Sequence, residues 1–269
     1  QDTGAPAITL LGSTPVLHEL QTSYTDAGAT ATDAADGDLT SNITTTGSVN
    51  SNIAATYTIS YDVSDSQSNP ASTVTRTIIV ADRTAPAITL TGSSTVNVEQ
   101  GASYTDAGAT ASDIIDGNVT ANIITGGSVN TTVGGTYTLT YNVSDAAGNA
   151  ATQVTRTVVV SDSTAPTITL ISSNPLAHEV GTIFVDPGAT ASDNLDGNIS
   201  SNINVTGSVN PNIVGTYTLS YNVSDSEGNA APTVTRTVNV ADTGAPSIAL
   251  NGASTVNHEI NTTYTDAGA

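Results

Sequence analysis

Pro6, Pro86, Pro166 and Pro246 recur every 80 residues with no insertion or deletion between them. A fixed period of this kind is the pattern of a tandem array of one folded unit. Each proline closes a short acidic seam: Asp2-Thr3-Gly4-Ala5-Pro6, Asp82-Arg83-Thr84-Ala85-Pro86, Asp162-Ser163-Thr164-Ala165-Pro166 and Asp242-Thr243-Gly244-Ala245-Pro246. Proline fixes its own φ and restricts the residue before it. The seams are therefore expected to be stiff joints, unlike Gly/Ser tethers. The period sets three repeats, 1–82, 83–162 and 163–242, and the incomplete start of a fourth, 243–269. The sequence opens on Gln1 and stops at Ala269 within a repeat, as expected of a segment of a longer array.

Within a repeat, strand patterns dominate. Tyr57, Ile59, Tyr61 and Val63 alternate with Thr58, Ser60, Asp62 and Ser64, and the pattern returns at Tyr137–Val143 and Tyr217–Val223. Period-two alternation of this kind marks a strand with one buried face. Val74, Arg76, Ile78 and Val80 share one phase in a last strand, and Ile8-Thr9-Leu10 opens the first. A short stretch ending in Glu19 follows, then a small-residue strand, Tyr24 to Ala31. No segment carries a capped helical period. Six or seven short strands in about 80 residues, separated by Gly, Asn, Asp and Ser turns, predict an all-β fold. Each repeat is expected to be an antiparallel β-sandwich with a modest core of Tyr, Ile, Leu, Val and Ala. Disorder is the alternative for an acidic, Thr-rich chain, and the regular alternation argues against it.

The chain holds 24 acidic and 4 basic residues, a net charge of −20. That balance argues against nucleic acid and anionic membrane surfaces as partners, and favours cations. There is no Cys, hence no disulfide and no thiolate metal site. No apolar run reaches membrane-spanning length.

The motifs Asp-x-Thr-Ala-Pro-x-Ile-Thr-Leu, Tyr-Thr-Asp-Ala-Gly-Ala-Thr-Ala, Asp-x-x-Asp-Gly and Gly-Thr-Tyr-Thr-Leu-Thr-Tyr-Asn-Val-Ser-Asp-Ala-Ala-Gly-Asn are cleanest in the second repeat, the last at Gly135–Asn149. Together they resemble a bacterial Ig-like domain first named from an insecticidal crystal protein and related to hyalin-type repeats. The resemblance covers the whole chain. It implies Ig-like sandwiches strung as stalks in large secreted or surface-anchored proteins, and says little about chemistry. The first repeat departs from it at Ala55, Ser68 and Pro70.

Carboxylates are the one constellation with chemical potential. In a sandwich of this kind the loop after the small-residue strand, the later Asp–Asn turn and the incoming seam lie at one end. The first repeat would gather Asp2, Asp33, Asp36 and Asp65 there. The second would gather Asp82, Asp113, Asp116 and Asp145, with Glu19 from the preceding repeat. The third would gather Asp162, Asp193, Asp196 and Asp225, with Glu99. Calcium takes six to eight hard oxygens, and such a set suits it. Plain turn chemistry weighs equally, because Asp, Asn and Gly are favoured in turns for their own sake.

Other singled-out residues divide between bland and sharp readings. His18, His178 and His258 occupy one repeat position and are expected to face solvent. Arg76, Arg156 and Arg236 share phase with core valines; they either pair internally with Asp26, Asp106 and Asp186 or snorkel to a sheet edge. No nucleophile–base pair, phosphate loop or hydrolase metal motif is present, so no catalytic residue is expected.

The expectation is a non-enzymatic stalk of an extracellular adhesin or surface filament, with calcium as the candidate cofactor at its seams. Its partners would be neighbouring repeats and, in a filament, other copies of the chain. Two alternatives remain: glycan- or ligand-binding modules of a secreted protein, and a self-assembling filament or surface-layer subunit.

Overall fold

The computed structural model describes residues 2–268, and the chain divides into two compact units, Gln1–Ser161 and Asp162–Ala269. The first unit holds two repeats, and the second holds the third repeat and the segment after it. Each repeat contains seven strands in two sheets.

In the first repeat the strands are β1 (Ala7–Leu10), β2 (Val16–Glu19), β3 (Ala29–Asp33), β4 (Gly37–Asp38), β5 (Thr44–Thr46), β6 (Ala55–Asp62) and β7 (Val74–Ala81). One sheet runs β1-β3-β4 and the other β2-β7-β6-β5. The second repeat builds β8 (Ala87–Leu90) to β14 (Val154–Ser161), and the third builds β15 (Thr167–Leu170) to β21 (Val234–Ala241), with the same two orders.

The alternating stretch of the sequence is the centre of the larger sheet. β6 pairs antiparallel with β7 in the register Tyr57–Ile78, Ile59–Arg76, Tyr61–Val74. Its inward face buries Ile59, Tyr61, Ile78 and Val80, which pack on Ala29 of the other sheet. Ala31, Leu39 and Val63 form a second cluster toward the seam end. The small residues Ala29 and Ala31 of β3 are buried in these clusters.

Two features differ from expectation. First, the sandwich is not purely antiparallel: β2 lies parallel to β7, Val16 opposite Ile78 through Glu19 opposite Ala81. The opening stretch of each repeat crosses from one sheet to the other between β1 and β2, and this crossing puts the second strand beside the last. Second, the expected strand from Tyr24 to Ala31 starts only at Ala29. Gly28 sits at φ +77 and Asp26 accepts the Gly28 amide at 3.0 Å, a local bend that interrupts extended backbone. Residues 243–268, the expected incomplete start of a fourth repeat, carry no strand, and Ile248 and Ile260 are 83% and 90% exposed. Their counterparts in the first repeat, Ile8 and Leu20, pair with β3 and with Ala81 of β7.

The arginines resolve as internal ion pairs. Arg76 and Arg156 each bond an aspartate, Asp26 and Asp106, and Arg236 bonds Asp186 at 2.8 Å. The three arginine side chains are buried almost completely. Each also donates to carbonyl oxygens of the chain crossing above it, Leu11 and Gly28 for Arg76. A tyrosine hydroxyl from the central strand completes each network, Tyr141 to Asp106 at 2.7 Å and Tyr221 to Asp186 at 2.7 Å. Burial and the neighbouring carboxylate push the Tyr61, Tyr141 and Tyr221 phenols up to about 12, so they remain donors.

Among the described residues no helix is long and apolar enough to cross a membrane.

Candidate functional site at the seam end of each repeat

Three chain segments meet at one end of every repeat: the incoming seam, the turn after β3, and the turn between β6 and β7. One carboxylate oxygen from each forms a group with all members within 4.8 Å of one another. The groups are Asp2, Asp33 and Asp65; Asp82, Asp113 and Asp145; and Asp162, Asp193 and Asp225.

Local turn geometry holds each member. Asp33 lies at the end of β3, and its Oδ1 accepts the amides of Ala35 at 2.8 Å and Asp36 at 3.0 Å. Asp113 does the same with Ile115 at 2.7 Å and Asp116 at 3.0 Å. Asp65 Oδ1 accepts the Gln67 and Asn69 amides at 2.8 and 2.7 Å, and its Oδ2 accepts the Asn69 side-chain amide at 2.6 Å. The seam aspartates close turns of their own, Asp2 on Gly4 at 2.9 Å and Asp82 on Thr84 at 3.1 Å. These are the Asx turns expected of such residues. They also explain why Asp recurs here: each carboxylate spends one oxygen on its own backbone.

Charge separates the members. Burial pushes Asp145 up, yet the Asn149 side chain and the turn amides hold it below the usual carboxylate range; Asp65 and Asp225 behave alike. Asp82 moves the other way. Burial first, then the nearby charges of Asp113, Asp145 and Glu19, raise it above its ordinary value.

Asp36, Asp116 and Asp196 lie outside the groups. They tie the two turns together instead: Asp36 accepts the Ser66 amide at 2.7 Å, Asp116 the Ala146 amide at 2.6 Å and Asp196 the Ser226 amide at 2.7 Å. Glu19 closes β2 and accepts the Arg83 amide at 3.2 Å on each oxygen, from the seam that follows its repeat. Glu179 repeats this on the Thr243 amide at 2.9 Å, and its contacts with Thr243 lower its pKa. Glu99 holds the same strand position, opposite Ser161.

The turn asparagines do more than fill a turn. Asn69, Asn149 and Asn229 each donate to the backbone carbonyl of their seam aspartate, at 3.3, 3.2 and 3.3 Å. The seam prolines Pro6, Pro86 and Pro166 are buried in the repeat they introduce. Neither role shows in a sequence pattern, although the fixed 67-residue offset of each Asp–Asn pair is a usable signal.

His18 and His178 are half-buried rather than solvent-facing, while His258 is exposed as expected. His18 shares the inward phase of Val16, is half-buried, and meets Tyr24 edge-on at 5.1 Å, while Leu17 takes the outer face. His18 Nε2 lies 3.1 Å from the Thr22 carbonyl oxygen. A depression among the described residues is lined by Leu250, Val256, His258 and Tyr264, the corresponding positions of residues 243–268.

The profile of the family described as "Bacterial surface protein, Ig-like domain" matches three times, over residues 8–80, 88–160 and 168–240. A lipoprotein structure from Bacteroides thetaiotaomicron is 36% identical over 30% of this chain and 40% of its own, with a TM-score of 0.27. A Clostridium perfringens ZmpB structure, of a carbohydrate-binding module with GlcNAc and of INT domains, is 32% identical over 29% of this chain and 16% of its own, with a TM-score of 0.25. A three-domain I-band fragment of titin aligns over 90% of this chain and 100% of its own at 12% identity, with a TM-score of 0.25. The aligned region spans less than half of each of the two bacterial structures. No curated protein matches the chain.

Proposed function

The chain belongs to the family of bacterial surface protein Ig-like domains, and from that premise we propose that its repeats act as a non-enzymatic stalk on the cell surface. The stalk would carry an adhesive or assembling part of a larger extracellular protein away from the cell. The observation that carries this reading is the way the seam is held from both sides. Between the first and second repeats, Glu19 takes the Arg83 amide from behind, and Asn149 takes the Asp82 carbonyl from ahead. Pro86 is buried in the second repeat. A seam with both ends bonded spends little entropy-driven freedom on bending, which suits a spacer and has no use in catalysis.

Glycan or ligand binding fits less well. Such sites expose aromatic rings to stack on sugar, whereas Tyr61, Tyr141 and Tyr221 are buried and bonded to aspartates. The hydroxyls of Tyr57, Tyr137 and Tyr217 are turned onto the carbonyls of Ile53, Val133 and Ile213.

The test exploits the absence of native Cys. Spin labels on Ser41→Cys and Ala121→Cys, equivalent exposed positions of the first two repeats, report the inter-repeat distance in the full chain. A narrow distribution that broadens with Glu19→Ala is expected. A distribution as broad as that of a flexible tether in the unmodified background would overturn the stalk reading.

A further inference from the structure

We propose that the seam end of each repeat is a calcium site, built on Asp2, Asp33 and Asp65, on Asp82, Asp113 and Asp145, and on Asp162, Asp193 and Asp225. The site is argued from each repeat's own residues and does not depend on the stalk reading.

Proximity of three carboxylates is not by itself a site, since acids crowd into turns for local reasons. The decisive observation is at Asp113. This residue is only 9% exposed, and its Oδ2 is buried with no hydrogen-bond partner. Its Oδ1 is already used by the Ile115 and Asp116 amides. The remaining oxygen belongs to a carboxylate whose group includes Asp82 and Asp145 within 4.8 Å. A buried carboxylate oxygen facing other carboxylates, with no donor, is an arrangement that proteins avoid unless something positive completes it. In the first and third repeats Asp2 Oδ2 and Asp193 Oδ2 are likewise buried oxygens without a hydrogen-bond partner, on residues that are only half-buried.

The chain offers little positive charge of its own for these groups. It has no Lys in its sequence, and three of its 4 basic residues, Arg76, Arg156 and Arg236, are committed to Asp26, Asp106 and Asp186 in the core. A hard divalent cation is the chemistry that remains. The donors are carboxylate oxygens on separate turns, with no imidazole or thiolate among them, so zinc and copper are poorly served. Calcium accepts irregular oxygen shells and completes them with water, whereas magnesium demands near-ideal octahedra. Asn149 steadies the set, because it bonds Asp145 Oδ2 at 2.7 Å and the Asp82 carbonyl at 3.2 Å. The charge of Glu19 acts on the same Asp82 from the preceding repeat. Calcium at Asp82 would thus tie the seam to the repeat ahead while easing the repulsion from the one behind.

The test uses the full chain after treatment with chelator, titrated with calcium chloride in a calorimeter at about 0.15 M sodium chloride, near the physiological screening regime. Saturable binding at about three sites per chain is expected, with dissociation constants of roughly 0.1–1 mM, the range of extracellular modules. Asp113→Asn keeps the Oδ1 acceptor that closes its turn, and circular dichroism checks that it folds. It should bind one calcium fewer, while Asp62→Asn, an acid on the polar face of β6, should bind as many as the parent chain. No saturable binding below about 5 mM, well beyond the same range, would overturn the proposal. So would unchanged stoichiometry in Asp113→Asn, which would mark the heat as diffuse attraction to a polyanion. Equal saturation by magnesium chloride at the same concentrations would overturn the assignment to calcium.

Discussion

Replacing Asp106 with Ala probes the most consequential contact inside a repeat. Asp106 accepts the Arg156 guanidinium, the Tyr141 hydroxyl at 2.7 Å, the Tyr104 hydroxyl at 3.1 Å and the Gly108 amide at 3.1 Å. Truncation strands a guanidinium whose side chain is 1% exposed. Arg156 keeps its bonds to the carbonyls of Ser93, Thr91 and Gly108, which satisfy N–H groups and leave the charge uncompensated. Breaking a buried pair on one side costs about 3–5 kcal/mol. Asp106 itself is 24% exposed, so water partly screens the charge and the lower figure, about 3 kcal/mol, applies. For a domain of this size each kcal/mol is worth roughly 4–8 °C, so the melting temperature of the second repeat should fall by about 12–24 °C. Hydrogen exchange followed by mass spectrometry on the full chain, in chelator, reads β13 (Gly135–Asn142) and β14 separately from the first and third repeats. Those repeats serve as internal standards. The double variant Asp106→Ala/Arg156→Leu should recover at least half of the loss, because no charge is then left buried. A loss under about 1 kcal/mol, or a double variant no better than the single, would refute the argument from an uncompensated charge.

Two further outcomes follow from single positions. Ser68 takes φ +65 where Gly148 and Gly228 take +92 and +95, so Ser68→Gly should raise the stability of the first repeat by about 0.5–1 kcal/mol in denaturant unfolding; a neutral or negative change would mean that the left-handed geometry carries no strain there. Asp26 and Asp106 feel burial, which raises their pKa, yet bonds from Tyr61 or Tyr141, from arginine and from Tyr24 or Tyr104 outweigh it and lower the value. A folded pKa below the unfolded one, about 3.9, stabilises fully above that value and is lost as pH falls through the folded pKa. Stability from these pairs should therefore be flat between about pH 5 and 8 and collapse below about pH 4 in an acid titration followed by circular dichroism. A loss centred above pH 5 would contradict this assignment.

Much of the fold is visible in residues that alternate. Tyr57 to Val63 and Val74 to Val80 read directly as β6 and β7, because burial on one face imposes period two on the sequence. The path of the opening stretch is not visible. Whether β1 and β2 belong to one sheet or two depends on pairing with β3 and β7, tens of residues away. The bend at Gly28 was hidden for a similar reason: Asp26 looks like a strand residue until its arginine, 50 residues later, is in place. Gly47, Gly127 and Gly207 open an identical Gly-Ser-Val-Asn run in a span that otherwise reads as variable. A Cβ at any of them would strike the carbonyl oxygen of Thr58, Thr138 or Thr218 on the central strand. That close approach is why glycine recurs there, and the recurrence was the available signal. At the seam end, the sequence places Asp33, Asp65 and their equivalents together because turn residues at fixed offsets share one end of a sandwich. It cannot separate Asp33 from Asp36, since only the geometry of the facing turn shows that Asp36 reaches across to Ser66.

The parallel neighbours β2 and β7 also decide how a repeat answers tension. A pull along the chain enters near β2 and leaves from the far end of β7, and in parallel strands those forces run oppositely along the shared ladder. The rungs are then loaded in shear, all at once, rather than peeled one by one. The first and third repeats present four register pairs to such a load, Val16–Ile78 to Glu19–Ala81 and Leu176–Val238 to Glu179–Ala241. The second presents five, Thr95–Thr157 to Glu99–Ser161. At the rung that is extra in the second repeat, the first and third substitute side-chain acceptors, the Thr77 amide donating to Thr14 Oγ1 at 3.1 Å and the Thr237 amide to Asn174 Oδ1 at 2.9 Å, so all three would meet such a load with comparable ladders.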